Sequence, residues 1–169
     1  VAGEPADGDP GQKLYSPYGL AVDAGGRLLV ADKNSRRVCR VAGGRLEALA
    51  MREATPRRPG PPDGRTFPPQ SPTGLCVEPG TAALLCSFGY DHAIWRIHPD
   101  GRMEVVLGVP PGKRFMISEP AREVPPEAVP ATPVSIPTAV AARRDGTIFF
   151  IERGSQLVRQ YQPRTGLRS

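Results

Sequence analysis

The chain contains a segment that recurs three times with nearly constant internal spacing. The copies begin at Ser16, Ser71 and Ile136, and each has a proline one residue later, followed after three positions by an apolar residue. A turn glycine comes eight or nine positions after the proline, and a second apolar segment begins 21 or 22 positions after it. Repeats of this kind indicate an architecture of similar stacked units, and this constrains the fold more than any other feature.

Each copy has the pattern of antiparallel β-structure, because short runs of Val, Ile, Leu and Phe are bounded by Gly, Pro and Asp. Turn pairs such as Asp100-Gly101 supply the positive φ that hairpins need. We therefore predict an all-β fold with four strands per copy, labelled a to d, as in a propeller blade. The predicted strands are 19–23, 27–32, 37–41 and 46–51, then 74–77, 82–87, 93–98 and 103–107, then 139–142, 147–152 and 157–161, where the third copy stops short of a strand d.

From Pro17 the first copy reads Pro-x-Gly-Leu-Ala-Val-Asp, then a glycine turn, then Leu-Leu-Val-Ala-Asp, then Arg37-Val38. This string resembles the NHL repeat of six-bladed β-propellers, and Asp32 and Arg37 match the acidic and basic residues of that motif. The resemblance implies a propeller fold and says little about activity. The corresponding positions hold Phe88 and Ala93 in the second copy, and Glu152 and Leu157 in the third.

The copies predict one propeller segment over 1–169, with blades at about 13–51, 72–107 and 136–169. A closed propeller has typically four to eight blades, so three blades make an incomplete ring. We expect the remaining blades to come from a longer chain, of which this is a piece, or from a second copy, because open blades expose sheet edges. A degenerate three-blade module packed on a partner is the alternative.

Two proline-rich insertions, 52–71 and 108–135, join strand d of one copy to strand a of the next, and we predict extended, non-sheet loops for both. In a propeller the d–a connections and the b–c turns emerge on one side, here called the loop face. Function often lies on loops held by a rigid scaffold, although these loops could also merely cover the propeller, anchored by 115–117. The candidate binding residues on the loop face are Lys33, Arg36, Arg57, Arg58, Arg65, Tyr90, His92, Lys113, Arg114, Phe115 and Arg153.

Charge and catalytic residues narrow the function. The net charge is +5, but basic and acidic residues are nearly balanced on the loop face, which makes nucleic acid an unfavoured partner. We expect no catalytic residue, metal or cofactor, since His92 and His98 should lie on opposite faces and no Gly-x-Ser-x-Gly motif occurs. The acidic residues Asp32, Asp91 and Glu152 could cap turns or, as in lactonase-like and lyase-like relatives, hold a divalent metal.

The cysteines Cys39, Cys76 and Cys86 are odd in number and form no Cys-x-x-Cys motif. Free thiols are therefore expected, and they favour an intracellular location, although a Cys76–Cys86 bridge between neighbouring strands is conceivable. No apolar run approaches the length of a membrane span.

Together these features favour a non-catalytic binding or scaffold module that mediates protein–protein interaction within a larger protein or assembly. The alternatives are part of a metal-dependent propeller enzyme, of lactonase or lyase type, and an RNA-binding NHL propeller.

Overall fold

A computed structural model describes residues 12–51, 71–108 and 123–169, which form three antiparallel sheets. Each sheet is one blade, and the all-β prediction is confirmed. Blade 1 has the strand order β1 (Pro17–Val22), β2 (Leu28–Asp32), β3 (Arg37–Ala42) and β4 (Arg45–Met51). Blade 2 has the order β5 (Pro72–Val77), β6 (Leu84–Phe88), β7 (Ala93–Ile97) and β8 (Met103–Gly108).

Blade 3 differs from the prediction in two ways. Its order is β10 (Pro137–Ala142), β11 (Ile148–Glu152), β12 (Leu157–Gln162), β13 (Gly166–Arg168) and β9 (Glu123–Val124). A short strand d, β13, is thus present where none was predicted. The second insertion is also not wholly loop, because β9 pairs with β13 through Leu167 opposite Val124. The three residues of β13 are too few to show an alternating pattern. The two residues of β9 stand next to prolines, which favoured a prediction of loop.

Two short 3-10 segments lie entirely within the described ranges, Gly89–Asp91 and Pro126–Ala131. The second follows β9 and packs between β8 and β13. Its Val129 and the nearby Val134 are buried, so this part of the insertion fills the gap between blades 2 and 3. Within the described ranges no helix is long and apolar enough to cross a membrane.

The blades pack side by side through their first strands, since β5 lies between β1 and β10. Glycine makes this approach possible: a Cβ on Gly19 would collide with the carbonyl oxygen of Thr73, and one on Gly74 would lie 2.7 Å from that of Thr138. Two apolar cores fill the spaces between the blades. Leu29, Val38, Leu84 and Phe88 belong to the core between blades 1 and 2, and Leu85, Ile94, Ile148 and Phe150 to the core between blades 2 and 3.

The repeat allows equivalent residues to be compared between blades. Val38, Ile94 and Val158 hold the same position in the third strand, since each lies opposite the residue that precedes the end of strand b. Val38 and Ile94 are 2% and 0% exposed because the next blade covers them, whereas Val158 is 67% exposed. At the other end, Leu20 is 63% exposed, whereas its counterpart Leu75 is 7% exposed. The first and third blades therefore each present one uncovered apolar face.

The three cysteines are free thiols, and Cys39 and Cys86 are buried. Cys86 lies opposite Leu75 in strand β5, and Cys76 lies opposite Leu85 in strand β6. The two thiols thus belong to different cross-strand pairs, and no bridge forms between them.

Candidate binding face

The b–c turns and the segments that enter each blade meet on the loop face. The residue that precedes the third strand has left-handed backbone in every blade, with φ of 55° at Arg36, 53° at His92 and 58° at Gln156. In blade 1 the Lys33 amide donates to the Ser16 carbonyl, and in blade 3 the Arg153 amide donates to the Ile136 carbonyl. The turns thus have one shape, and in blades 1 and 3 they are tied to the incoming chain.

Asp32 organises the entry to blade 1. Its side chain is fully buried, and its Oδ1 atom accepts hydrogen bonds from the amides of Tyr15 and Ser16 at 3.0 and 2.9 Å. Its Oδ2 atom pairs with Arg37 Nε at 3.3 Å, and Arg37 Nη2 donates to the Lys13 carbonyl at 2.7 Å. The acidic and basic residues of the repeat motif therefore hold the chain before β1 in place.

Glu152 does the same for blade 3, with a different partner. It accepts a hydrogen bond from the Ser135 amide, and its Oε2 atom pairs with Arg159 Nη1 at 3.2 Å. The residue directly opposite Glu152 is Leu157, so the guanidinium comes from the rung two residues further along β12, where Arg159 lies opposite Phe150. The extra methylene of glutamate relative to aspartate lets the carboxylate reach that rung. Comparison of the equivalent positions in the repeats gave Leu157 as the counterpart of Arg37. It missed Arg159 because it took no account of side-chain length.

Blade 2 replaces the ion pair by an apolar pair, since Phe88 lies opposite Ala93 and both are buried. The entry amide of this blade, from Ser71, is instead bound by Asp91 Oδ2 at 3.3 Å. His92 Nδ1 accepts a hydrogen bond from the Ile136 amide at 3.3 Å, and so connects blade 2 to the entry of blade 3. Asp32, Asp91 and Glu152 thus each bind backbone in their own blade. Among the described residues, no three His, Cys, Asp or Glu side chains converge in a way that could hold a metal ion.

The exposed feature of this face is a group of aromatic and basic side chains, the tyrosine–lysine cluster, formed by Tyr18, Lys33 and Tyr90. In the entry segment of blade 1, Lys13 Nζ lies 5.6 Å from the ring centroid of Tyr15. Lys33 Nζ lies 4.5 Å from the ring centroid of Tyr18 and 4.8 Å from that of Tyr90. The two rings are 63% and 65% exposed, and Tyr15 is 59% exposed. Because Lys33 and Tyr90 come from different blades, the cluster spans the boundary between blades 1 and 2.

The other sequence-predicted candidates are placed as follows. Arg36 and Arg153 are exposed on the b–c turns of blades 1 and 3, and His92 is half-buried. Arg57, Arg58, Arg65, Lys113, Arg114 and Phe115 lie outside the described residues. Tyr15 and Tyr18 were not among the candidates, although an aromatic residue in the variable position of the Pro-x-Gly motif was visible in the sequence.

No family model and no curated protein sequence matches the chain. Solved structures do match it. A gluconolactonase from Xanthomonas campestris is 19% identical with a TM-score of 0.58, over 90% of this chain and 46% of that protein. An auxiliary nutrient binding protein from Bacteroides thetaiotaomicron is 13% identical with a TM-score of 0.59, over 89% of this chain and 37% of the other. A streptogramin B lyase is 13% identical with a TM-score of 0.55, over 96% and 41%.

The chain thus spans less than half the length of each of these structures, and identities this low show the fold alone. The sheets agree with that fold, since their first strands lie side by side and their faces are packed together. The described part of the chain forms three neighbouring blades of a β-propeller.

Proposed function

We propose that the chain is a non-catalytic binding module, an NHL-type propeller segment whose loop face holds a protein partner. The observation that carries this proposal is the tyrosine–lysine cluster. The rings of Tyr18 and Tyr90 are more than half exposed, as is that of nearby Tyr15 in the entry segment, and Tyr and Arg are enriched at protein interfaces. A tyrosine offers a large apolar surface with a polar tip and loses little conformational entropy on binding.

The backbone under the cluster is held by hydrogen bonds to the carboxylates of Asp32 and Asp91. Asp32 fixes the amides of Tyr15 and Ser16, while the Lys33 amide is bound to Ser16. Tyr90 lies in the 3-10 turn Gly89–Asp91, and Asp91 is bonded to the entry of its own blade. A surface that is ordered before binding loses less entropy when a partner docks. This is how a propeller scaffold would serve recognition.

The proposed interface extends from the cluster to Arg36 and Arg153, and to the insertion residues Arg57, Arg58, Arg65, Lys113, Arg114 and Phe115. We place protein ahead of RNA because the acidic and basic side chains predicted on this face are nearly balanced, so that no strong attraction for phosphate results.

The test compares partner capture by three forms of the chain. The variant Tyr18→Ser/Tyr90→Ser removes both rings of the cluster, and Arg102→Ser/Arg143→Ser changes two exposed residues in turns at the opposite ends of the strands. We expect the wild type and the arginine control to form a cross-link with a protein partner, and the tyrosine variant to form none. Equal capture by the tyrosine variant would refute this interface. Capture that is abolished by ribonuclease or by moderate salt would indicate RNA.

The structural likeness to a gluconolactonase and a lyase keeps a metal-dependent enzyme as the second candidate. The described carboxylates do not fit a metal centre, since Asp32, Asp91 and Glu152 are engaged with backbone amides in three different blades. A thermal unfolding midpoint that rises with calcium or zinc would favour the enzyme. An unchanged midpoint would exclude a metal site in this segment.

A further inference from the structure

A cleft of about 470 Å³ lies between blades 1 and 2, on the face that carries the a–b and c–d turns and is opposite the loop face. Blade 1 contributes its a–b turn with Asp23 and Arg27, together with Arg40 from β3. Blade 2 contributes residues around His98 and Asp100 from its c–d turn. The volume falls in the range of small-molecule sites.

The lining of this cleft is apolar below and charged at the rim. Leu29, Leu84 and Ile97 are at most 5% exposed and belong to the core between the two blades. Leu49 and Val77 are partly buried and pack against the same core. An apolar chain laid on these residues would extend the inter-blade core, and the rim would contact its polar end.

Arg40 is a cation at the rim whose Nε–H group has no hydrogen-bond acceptor among the described residues. Its side chain is 27% exposed, and its one ion-pair contact within 4 Å among the described residues is with Asp23, at 3.6 Å from Nε to Oδ2. Glu47 lies opposite Arg40 on β4 and makes no such contact with it. The Nε atom of Arg40 is itself buried. A buried donor without an acceptor is unfavourable, so a ligand oxygen at this position would be stabilised. A guanidinium presents a planar fork that matches a carboxylate.

The other rim charges are already engaged, with one exception. Asp23 accepts hydrogen bonds from the amides of Arg27 and Gly25, and its Oδ2 atom pairs with Arg27 Nε at 2.9 Å. The Arg27 amide, above all, lowers the pKa of Asp23, so the carboxylate stays ionised and keeps Arg27. His98 Nε2 lies 3.3 Å from Glu104 Oε1 and, like Arg40 Nε, is buried without a hydrogen-bond partner among the described residues. Asp100 is exposed and is the rim charge that would repel an anion.

We propose that this cleft binds an amphipathic monocarboxylate of medium chain length, with the carboxylate on Arg40 and the chain on Leu29, Leu84 and Ile97. The site is independent of the loop face and of the protein partner proposed for it. Its two parts, an apolar lining and one under-bonded guanidinium, are both needed, because neither a simple anion nor a neutral chain would use the whole cleft.

The experiment titrates sodium octanoate into the full chain by isothermal calorimetry, with 1-octanol and sodium acetate as probes that each lack one half of the ligand. We expect octanoate to bind, and both other probes to bind at least about tenfold more weakly. Arg40→Gln should weaken octanoate binding about tenfold. Arg102→Gln, in the c–d turn of blade 2 beside Asp100 but outside the cleft lining, should leave octanoate binding unchanged. Asp100→Asn should strengthen binding.

Three results would overturn the proposal: no octanoate binding, equal binding by Arg40→Gln, or weaker binding by Asp100→Asn, which would mean that the carboxylate does not lie beside Asp100. The thermal unfolding midpoint of each variant shows that it is folded. If Arg40→Gln does not fold, Arg40→Lys keeps the charge and removes the fork, and octanoate should still bind it more weakly than the wild type.

Discussion

At the residue scale, Asp32 is the buried charge on which the first blade most depends. Its fully buried side chain neutralises Arg37 and binds two amides of the incoming chain. Blade 2 shows that the same position can be apolar, since Phe88 and Ala93 occupy it as a directly opposed pair. This position in the blade is therefore filled either by a buried ion pair, as in blade 1, or by a buried apolar pair, as in blade 2.

Asp32→Asn should destabilise the chain by about 3–5 kcal/mol, because it leaves Arg37 buried beside a neutral amide. Asp32→Phe/Arg37→Ala copies the blade 2 pair and should recover part of that loss. Urea denaturation measures both. A loss of less than about 1 kcal/mol in Asp32→Asn would contradict the structural role given to this residue.

The thiols offer a second test at this scale. Burial raises the pKa of Cys39 and Cys76, and raises that of Cys86 well above its ordinary value, because the thiolate cannot be hydrated there. At pH 8 a disulfide reagent should therefore modify partly buried Cys76 slowly, and Cys39 and Cys86 only after unfolding in urea. The variant Cys76→Ser identifies the reacting thiol. Rapid modification of all three in native protein would contradict this burial.

At the scale of elements, β9 is an outer strand that blade 3 takes from the preceding insertion. Gly166 makes this pairing possible, since its φ is +84° and a Cβ there would collide with the Val124 carbonyl oxygen. Gly146 is a matched comparison, because it has a φ of +82° with open space around its Cβ position.

Gly146→Ala should cost about 1–2 kcal/mol for the left-handed backbone alone. Gly166→Ala should cost more, because it must also displace β9. Urea unfolding gives the two values, and hydrogen exchange at Val124 and Leu167 shows whether the strand has separated. Equal costs with unchanged exchange would mean that β9 does not depend on this glycine.

All eleven strands predicted from the sequence are present in the structure, and their bounds differ from the predicted ones by only a few residues. The sequence could not predict β9 and β13, because a two-residue and a three-residue strand carry no period and are formed by pairing. The same limit applied to Arg159, whose role depends on side-chain length across rungs, and to the cleft around Arg40, which arises only when two blades are packed. The contact of Lys33 with both Tyr18 and Tyr90 likewise could not be predicted, because it depends on how blades 1 and 2 pack together.

At the scale of the whole molecule, the uncovered faces of blades 1 and 3 have the composition of the faces that are covered inside. Val158 is 67% exposed where Val38 and Ile94 are buried, and Leu20 is 63% exposed where Leu75 is buried. We therefore expect each of these two faces to be covered by a further blade. The blade could come from a longer chain or from a second copy.

We expect the isolated chain to self-associate, with a species of twice 18.1 kDa if two copies close a six-bladed ring. Val158→Asp and Leu20→Asp should each weaken this association, because a charge would be buried at the new boundary. Arg102→Ser, outside both faces, is the control. Light scattering after size-exclusion chromatography gives the mass, and a stable monomer at high concentration would contradict the expectation.

The strand that blade 3 takes from its insertion also determines when that blade can be completed during synthesis on the ribosome. Strand β9 is made before β10, β11 and β12, but its partner β13 is the last strand of the blade to leave the exit tunnel. Until then the edge that will receive β9 does not exist, so Val124 cannot pair with Leu167. The outer edge of the third blade can therefore be completed only after residues 166–168 emerge, although β10, β11 and β12 can pair before then.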